Sequence, residues 1–184
     1  VRDAVGGIGT MHPLSAIADG RAAMRALAGT VFGVEGDDVG RAAAALLVAA
    51  LGGIVLPLDG SQMASYHAAA ALASNYVVAA IDTAAAALAM AGVPADQAAR
   101  ALVPLAEGAI RNVSARGTTA GLTGPVRRGD AGTVQRHLEA LRTRPEIVEI
   151  YRALARRAVD IASRIDGRDA PDRAGLEAIR ALLQ

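Results

Sequence analysis

Residues 30–57 read TVFGVEGDDVGRAAAALLVAALGGIVLP, and this stretch decides the fold class. Thr30 to Glu35 carries β-branched and aromatic residues and predicts a strand, ended by Gly36 and Asp37. Asp37 or Asp38 is placed to cap the next helix, because a carboxylate accepts hydrogen bonds from the unpaired N–H groups of a first turn. That helix is expected over about 38–51, with Ala42, Leu46, Leu47, Ala50 and Leu51 on one broad face. Gly52-Gly53 stops it. Ile54-Val55-Leu56 predicts a second strand, closed by Pro57. Strand, helix and strand in so short a span make a βαβ unit, which belongs to an α/β sheet.

Upstream, residues 1–30 are rich in Gly and Ala around a central His12-Pro13-Leu14. Gly7-Ile8-Gly9 superficially suggests a dinucleotide loop. It lacks the third glycine and no apolar strand precedes it, so it is not read as a cofactor fingerprint. The chain starts at Val1 with no charged-then-apolar signal pattern; the start reads as a cut end, and a cytoplasmic location is expected.

Downstream of Gly60 the strand signals vanish. Residues 61–91 predict one long helix, apolar nearly all round and therefore buried on most sides. Gly92 ends it, and Pro94 opens a second helix to about Arg116. Residues 117–129 read as a glycine-rich loop. Asp130 caps a helix to about Arg142, Pro145 opens another to about Ile165, and a last helix covers 172–183 after a polar break at 167–171. Alternating α/β sequence followed by a helical run implies two layers or domains, 1–60 and 61–184.

Composition narrows the function classes. The chain of 184 residues is 53% hydrophobic, but that content leans on alanine, with one Phe, three Tyr and no Trp. Alanine favours helices at close range. All 19 basic residues are Arg, so no lysine serves as a general acid, Schiff base or phosphate anchor. The formal net charge of +1 points to no nucleic-acid partner. Without cysteine, thiolate metal sites and disulfides are excluded, and three scattered histidines give no metal spacing. The apolar stretch 63–93 carries His67, Ser74, Asn75 and Asp82, a costly set for a lone membrane span, so no membrane partner is expected.

Three segments are candidates for chemistry. On one continuous helix His67 and Ser74 share a stripe, with Asn75 about 80° round. An imidazole, a hydroxyl and an amide then line one side, and His exchanges protons near neutrality; the alternative is a core histidine. His12 is biased to extended backbone by Pro13, at a strand end or loop. Thr123, Gly124, Arg127, Arg128 and Gly129 lie in the long connection, where arginines suit a carboxylate or phosphate and Asp130 caps the following helix. His137 and the arginine-rich helix 142–164 read as a solvated face.

Taken in order, His12-Pro13-Leu14, Phe32-Gly33-Val34-Glu35-Gly36-Asp37, Tyr66-His67-Ala68-Ala69, Ala73-Ser74-Asn75-Tyr76, Leu122-Thr123-Gly124-Pro125, Arg128-Gly129-Asp130 and His137-Leu138 resemble a family of Rossmann-like oxidoreductases. Its helical C-terminal domain is of the 6-phosphogluconate dehydrogenase type. Distant relatives are pyrroline-5-carboxylate reductase, prephenate dehydrogenase and ketopantoate reductase. The resemblance implies a mainly α chain: a helical substrate and dimerisation domain preceded by the last βαβ piece of a Rossmann-like domain. It also implies a missing N-terminal segment that binds most of the NADP or NAD, a homodimer, and a small-molecule substrate such as a keto acid or imine. His67 and Asn75 are then the catalytic candidates, Ser74, Thr123 and Arg128 the substrate-binding ones, and His12 and Pro13 lie near the nicotinamide; no metal is expected. Related hydroxyacid dehydrogenases place a Lys and an Asn on the long helix, where this chain has His67 and Asn75 and no lysine. The second expectation is a non-catalytic helical dimerisation module, and the isolated chain is expected to be inactive.

Overall fold

The computed structural model describes residues 6–16 and 27–184; Val1, read as a cut end, lies outside them. The chain is mainly helical with a small sheet, and it divides into two compact units, 1–79 and 80–184. The change from α/β to helical sequence comes earlier, at residue 60, because the first helix after the sheet packs back onto it.

In the first unit, strand β1 (Gly9–Pro13) pairs antiparallel with β2 (Val31–Gly36), which pairs parallel with β3 (Ile54–Pro57). Helix α1 (Asp38–Ala50) links β2 to β3, so residues 30–57 form the expected βαβ unit. Alternation along β2 sends Phe32 and Val34 to one face, where they are buried with Ala44 and Val48 of α1. Burying a side chain of that size stabilises the fold by about 1.5–3 kcal/mol.

Asp37 caps α1: its Oδ1 accepts from the Gly40 N–H at 2.8 Å, while Oδ2 accepts from the Ile8 N–H at 2.8 Å. One carboxylate thus fixes both the helix start and the approach to β1. The crossing is tight, since a Cβ on Gly9 would lie 2.5 Å from the Gly40 carbonyl carbon. His12, expected at a strand end or loop, lies at the end of β1; the rest of Gly9-Thr10-Met11-His12-Pro13 has no apolar alternation to signal the strand.

The expected single helix over 61–91 is two helices, α2 (Met63–Ala73) and α3 (Asn75–Ala89). Ser74 breaks the run at φ −125°, ψ −77°. Ser and Asn compete with the helix for backbone hydrogen bonds, and two of them sit at the break. The expectation of burial is also overturned. Met63–Ala89 is long and apolar enough to cross a membrane, yet only 6% of its most apolar window is buried. Leu72, Tyr76 and Val78 are exposed. Alanine spread round the helix gives no single face to direct its packing.

The second unit contains helices α4 (Ala95–Gly121), α5 (Gly124–Arg128), α6 (Ala131–Leu141), α7 (Pro145–Ala162) and α8 (Arg173–Leu182). The loop expected at 117–129 is replaced by helical turns. Gly117, at φ 74° and ψ 174°, is non-helical and divides α4 into two helical stretches, so the main stretch ends at Arg116 as expected; α5 begins three residues after the close of the second. The core gathers Val126, Val134, Val159, Ala162, Leu176, Ile179 and Leu183. Asp130 and Asp172 cap α6 and α8 through the Thr133 N–H and the Ala174 and Gly175 N–H groups. The Thr133 hydroxyl, then its N–H, hold the Asp130 carboxyl below the usual carboxylate range. His137 is exposed, and its Nδ1 lies 3.0 Å from the Tyr151 hydroxyl.

Candidate functional site

In the first unit, β1 and α2 meet along an open cleft of about 990 Å³. That volume lies at the upper end of the range for small-molecule sites. His12, Pro13 and Ser15 line it from the β1 end; Tyr66, His67, Ser74 and Asn75 line it from the helices. Between these polar groups the wall is small and apolar, chiefly Ala69, Ala70, Ala71, Ala73, Val77 and Val78.

Local sequence explains the placement. Pro13 keeps His12 extended at the end of β1. His67 falls on the first turns of α2, whose start packs on β2 through the buried Tyr66. The two imidazoles come together with ring centroids 4.5 Å apart and planes tilted by 55°. Both histidines are exposed, so His67 is not the core histidine that its helix position left open. The break at Ser74 changes the phase of the helix, and Ser74 and Asn75 both still line the cleft. The structure brings His67, Ser74 and Asn75 to one cleft, together with His12 and Pro13.

Thr123 and Arg128 belong to the second unit. Thr123 precedes α5 in extended backbone, and its side chain makes no capping hydrogen bond. Arg128 is 64% exposed and lies 4.0 Å from Asp130, a surface ion pair of little stabilising value.

One residue of the cleft escaped the sequence reading. The Tyr66 hydroxyl donates to the His12 carbonyl at 2.6 Å and accepts from the Gly33 N–H at 2.9 Å. His12 and Gly33 face each other across the β1–β2 pairing. A Cβ on Gly33 would lie 2.8 Å from the Tyr66 ring. A lone glycine inside a strand is the available signal, because it marks a close approach from another element.

Two chemical tests bear on cofactors. Among the described residues no group of three or more His, Cys, Asp or Glu is placed to hold a metal ion. The Gly7-Ile8-Gly9 turn does not fit a pyrophosphate. A Cβ on Gly7 would lie 2.6 Å from Val39, so the turn is packed against α1 rather than open. The Gly40 N–H in the first turn of α1, where a phosphate would bind, and the Ile8 N–H of the turn are taken by the Asp37 carboxylate.

Comparison with known proteins places these features in context. The model of a domain of unknown function, DUF2520, matches residues 30–158. The structure is similar to that of protein TM1727 from Thermotoga maritima, with TM-score 0.72 and 22% identity, covering 84% of this chain and 61% of that one. It is also similar to "putative NADP oxidoreductase BF3122" from Bacteroides fragilis, with TM-score 0.66 and 24% identity, covering 84% of this chain and 57% of that one. At these identities the likeness is one of fold, and the chain spans about three fifths of each structure. No curated protein matches.

Proposed function

The chain belongs to the DUF2520 family, and from that premise we propose that it is the substrate and dimerisation part of an NAD(P)-dependent reductase of small keto acids or imines. A ketopantoate-reductase-like activity, with a helical region of the 6-phosphogluconate dehydrogenase type, is the specific form of the proposal. The observation that carries it is the cleft in which His12 and His67 lie 4.5 Å apart beside Ser74 and Asn75. The name of the Bacteroides fragilis neighbour agrees with a nicotinamide cofactor. The Gly7-Ile8-Gly9 turn does not fit a pyrophosphate, and in this reading NADP or NAD is held mainly by a domain outside this chain.

Reduction of a carbonyl or imine needs a hydride equivalent, which the cofactor supplies, and one proton. His67 supplies or orients that proton at the developing alkoxide or amine. Asn75 and Ser74 hydrogen-bond the carbonyl oxygen or an adjacent carboxylate. His12 and Pro13 border the nicotinamide, and Thr123 and Arg128 close the site across a dimer. The bare face of α2 and α3 is covered by a second copy, in a cytoplasmic homodimer. The exposed Leu72, Tyr76 and Val78 support this reading, since two-fold pairing buries a self-complementary patch. They equally favour the second reading, a non-catalytic dimerisation module.

A panel of small keto acids and cyclic imines, assayed with full-length protein and NADPH at the nicotinamide absorbance, separates the two. Turnover with at least one substrate is expected. No turnover, together with no thermal shift by NADPH or NADH, favours the module.

A further inference from the structure

We propose that Tyr66 is a positioning residue whose hydroxyl sets the separation of His12 and His67; its value for turnover rests on the reductase reading above. Tyr66 is one residue from His67 on α2, and it holds the backbone carbonyl of His12 on β1. It therefore ties both histidines to one oxygen atom. Tyr66 is 8% exposed as a whole, and the bond its oxygen makes with Gly33 is buried.

The hydroxyl is fully used. It donates to His12 and accepts from Gly33, the residue that faces His12 in the strand pairing. The parity of that pairing matters. The Leu14 N–H bonds the Val31 carbonyl and the Asp37 N–H bonds the Ile8 carbonyl. Residues that exchange bonds alternate along an antiparallel ladder, which puts His12 and Gly33 on a hydrogen-bonding position. With the oxygen removed, the His12 carbonyl and the Gly33 N–H keep only their places in the β1–β2 pairing, and the tie from that pair to α2 is lost. The start of α2 is then free to shift relative to His12. The His12 ring also meets the Tyr66 ring edge-on at 5.7 Å, so the same side chain limits the imidazole's tilt. Gly33 is the other half of the device, because its missing Cβ leaves the space that the Tyr66 ring fills.

The test uses full-length protein with labelled histidines and two variants that strike the device differently. Tyr66→Phe keeps the ring and removes one oxygen; Gly33→Ala keeps the oxygen and pushes the ring. Both are expected to lose the nuclear Overhauser cross-peak between the His12 and His67 imidazoles while melting within a few degrees of wild type. Tyr76→Phe, on the exposed part of α3, is expected to retain it. In turnover, Tyr66→Phe is expected to lower kcat by about 10²-fold with KM for NADPH unchanged.

A wild-type protein without the cross-peak overturns the proposal, as does a Tyr66→Phe protein that keeps it. Unfolding of Tyr66→Phe also overturns it, by assigning the hydroxyl to the fold alone. If wild type turns over no substrate, the reductase reading fails while the cross-peaks still decide the role of Tyr66.

Discussion

The α6–α8 core of the second unit and the α2–α3 helices are both rich in apolar residues, yet they fold by opposite logic. In α6, α7 and α8, Val, Ile and Leu recur on one stripe and charged residues cover the rest. The stripes meet, and Val134, Ile179 and Leu183 reach complete burial. In α2 and α3 alanine predominates with Leu72, Tyr76 and Val78 among it, and most of the apolar surface stays exposed. An amphipathic helix carries the instruction for its own packing. An alanine-rich helix carries helix propensity without a partner, and here it forms one wall of the candidate site.

Stability measurements sharpen that contrast. Ile179→Ala, at a fully buried position, is expected to cost about 2–5 kcal/mol, read from denaturant midpoints. Asp172→Ala removes the acceptor for two N–H groups at the start of α8 and is expected to cost about 1 kcal/mol. Leu72→Ala, at 63% exposure, is expected to change the unfolding free energy of the monomer by less than about 0.5 kcal/mol. It should instead weaken dimerisation, seen by light scattering across a dilution series. If Leu72→Ala destabilises the monomer as much as Ile179→Ala, the contrast between the two regions is broken.

How much could be seen in the sequence follows the same line. Local signals were sufficient where the physics is local. Asp130, Asp172 and Pro145 marked helix starts, and the residues of 30–57 marked the βαβ unit. The break at Ser74 was hidden because good helix formers lie on both sides of it, so propensity alone carries the helix through. Strand β1, apart from its end at His12, was hidden because its pairing is made by β2, about 20 residues on, and its own residues show no alternation. Of the site, His67, Ser74 and Asn75 were picked out by spacing on one continuous helix, but the helix breaks at Ser74, and the three share the cleft across that break. Their meeting with His12 was not legible, since it depends on a hydroxyl 54 residues from the carbonyl it holds. At Gly7-Ile8-Gly9 the sequence lacks the third glycine of a dinucleotide loop, and the structure packs the turn against α1.

The central claim is that the exposed His67 handles a proton rather than supporting the fold. The most direct measurement is turnover and melting temperature of His67→Asn on the same sample of full-length protein with NADPH. The account predicts a fall in kcat of about 10²–10⁴-fold, equivalent to roughly 3–5 kcal/mol of transition-state stabilisation, with NADPH affinity and melting temperature unchanged. A variant that turns over at the wild-type rate per folded molecule would contradict it, whatever its melting temperature.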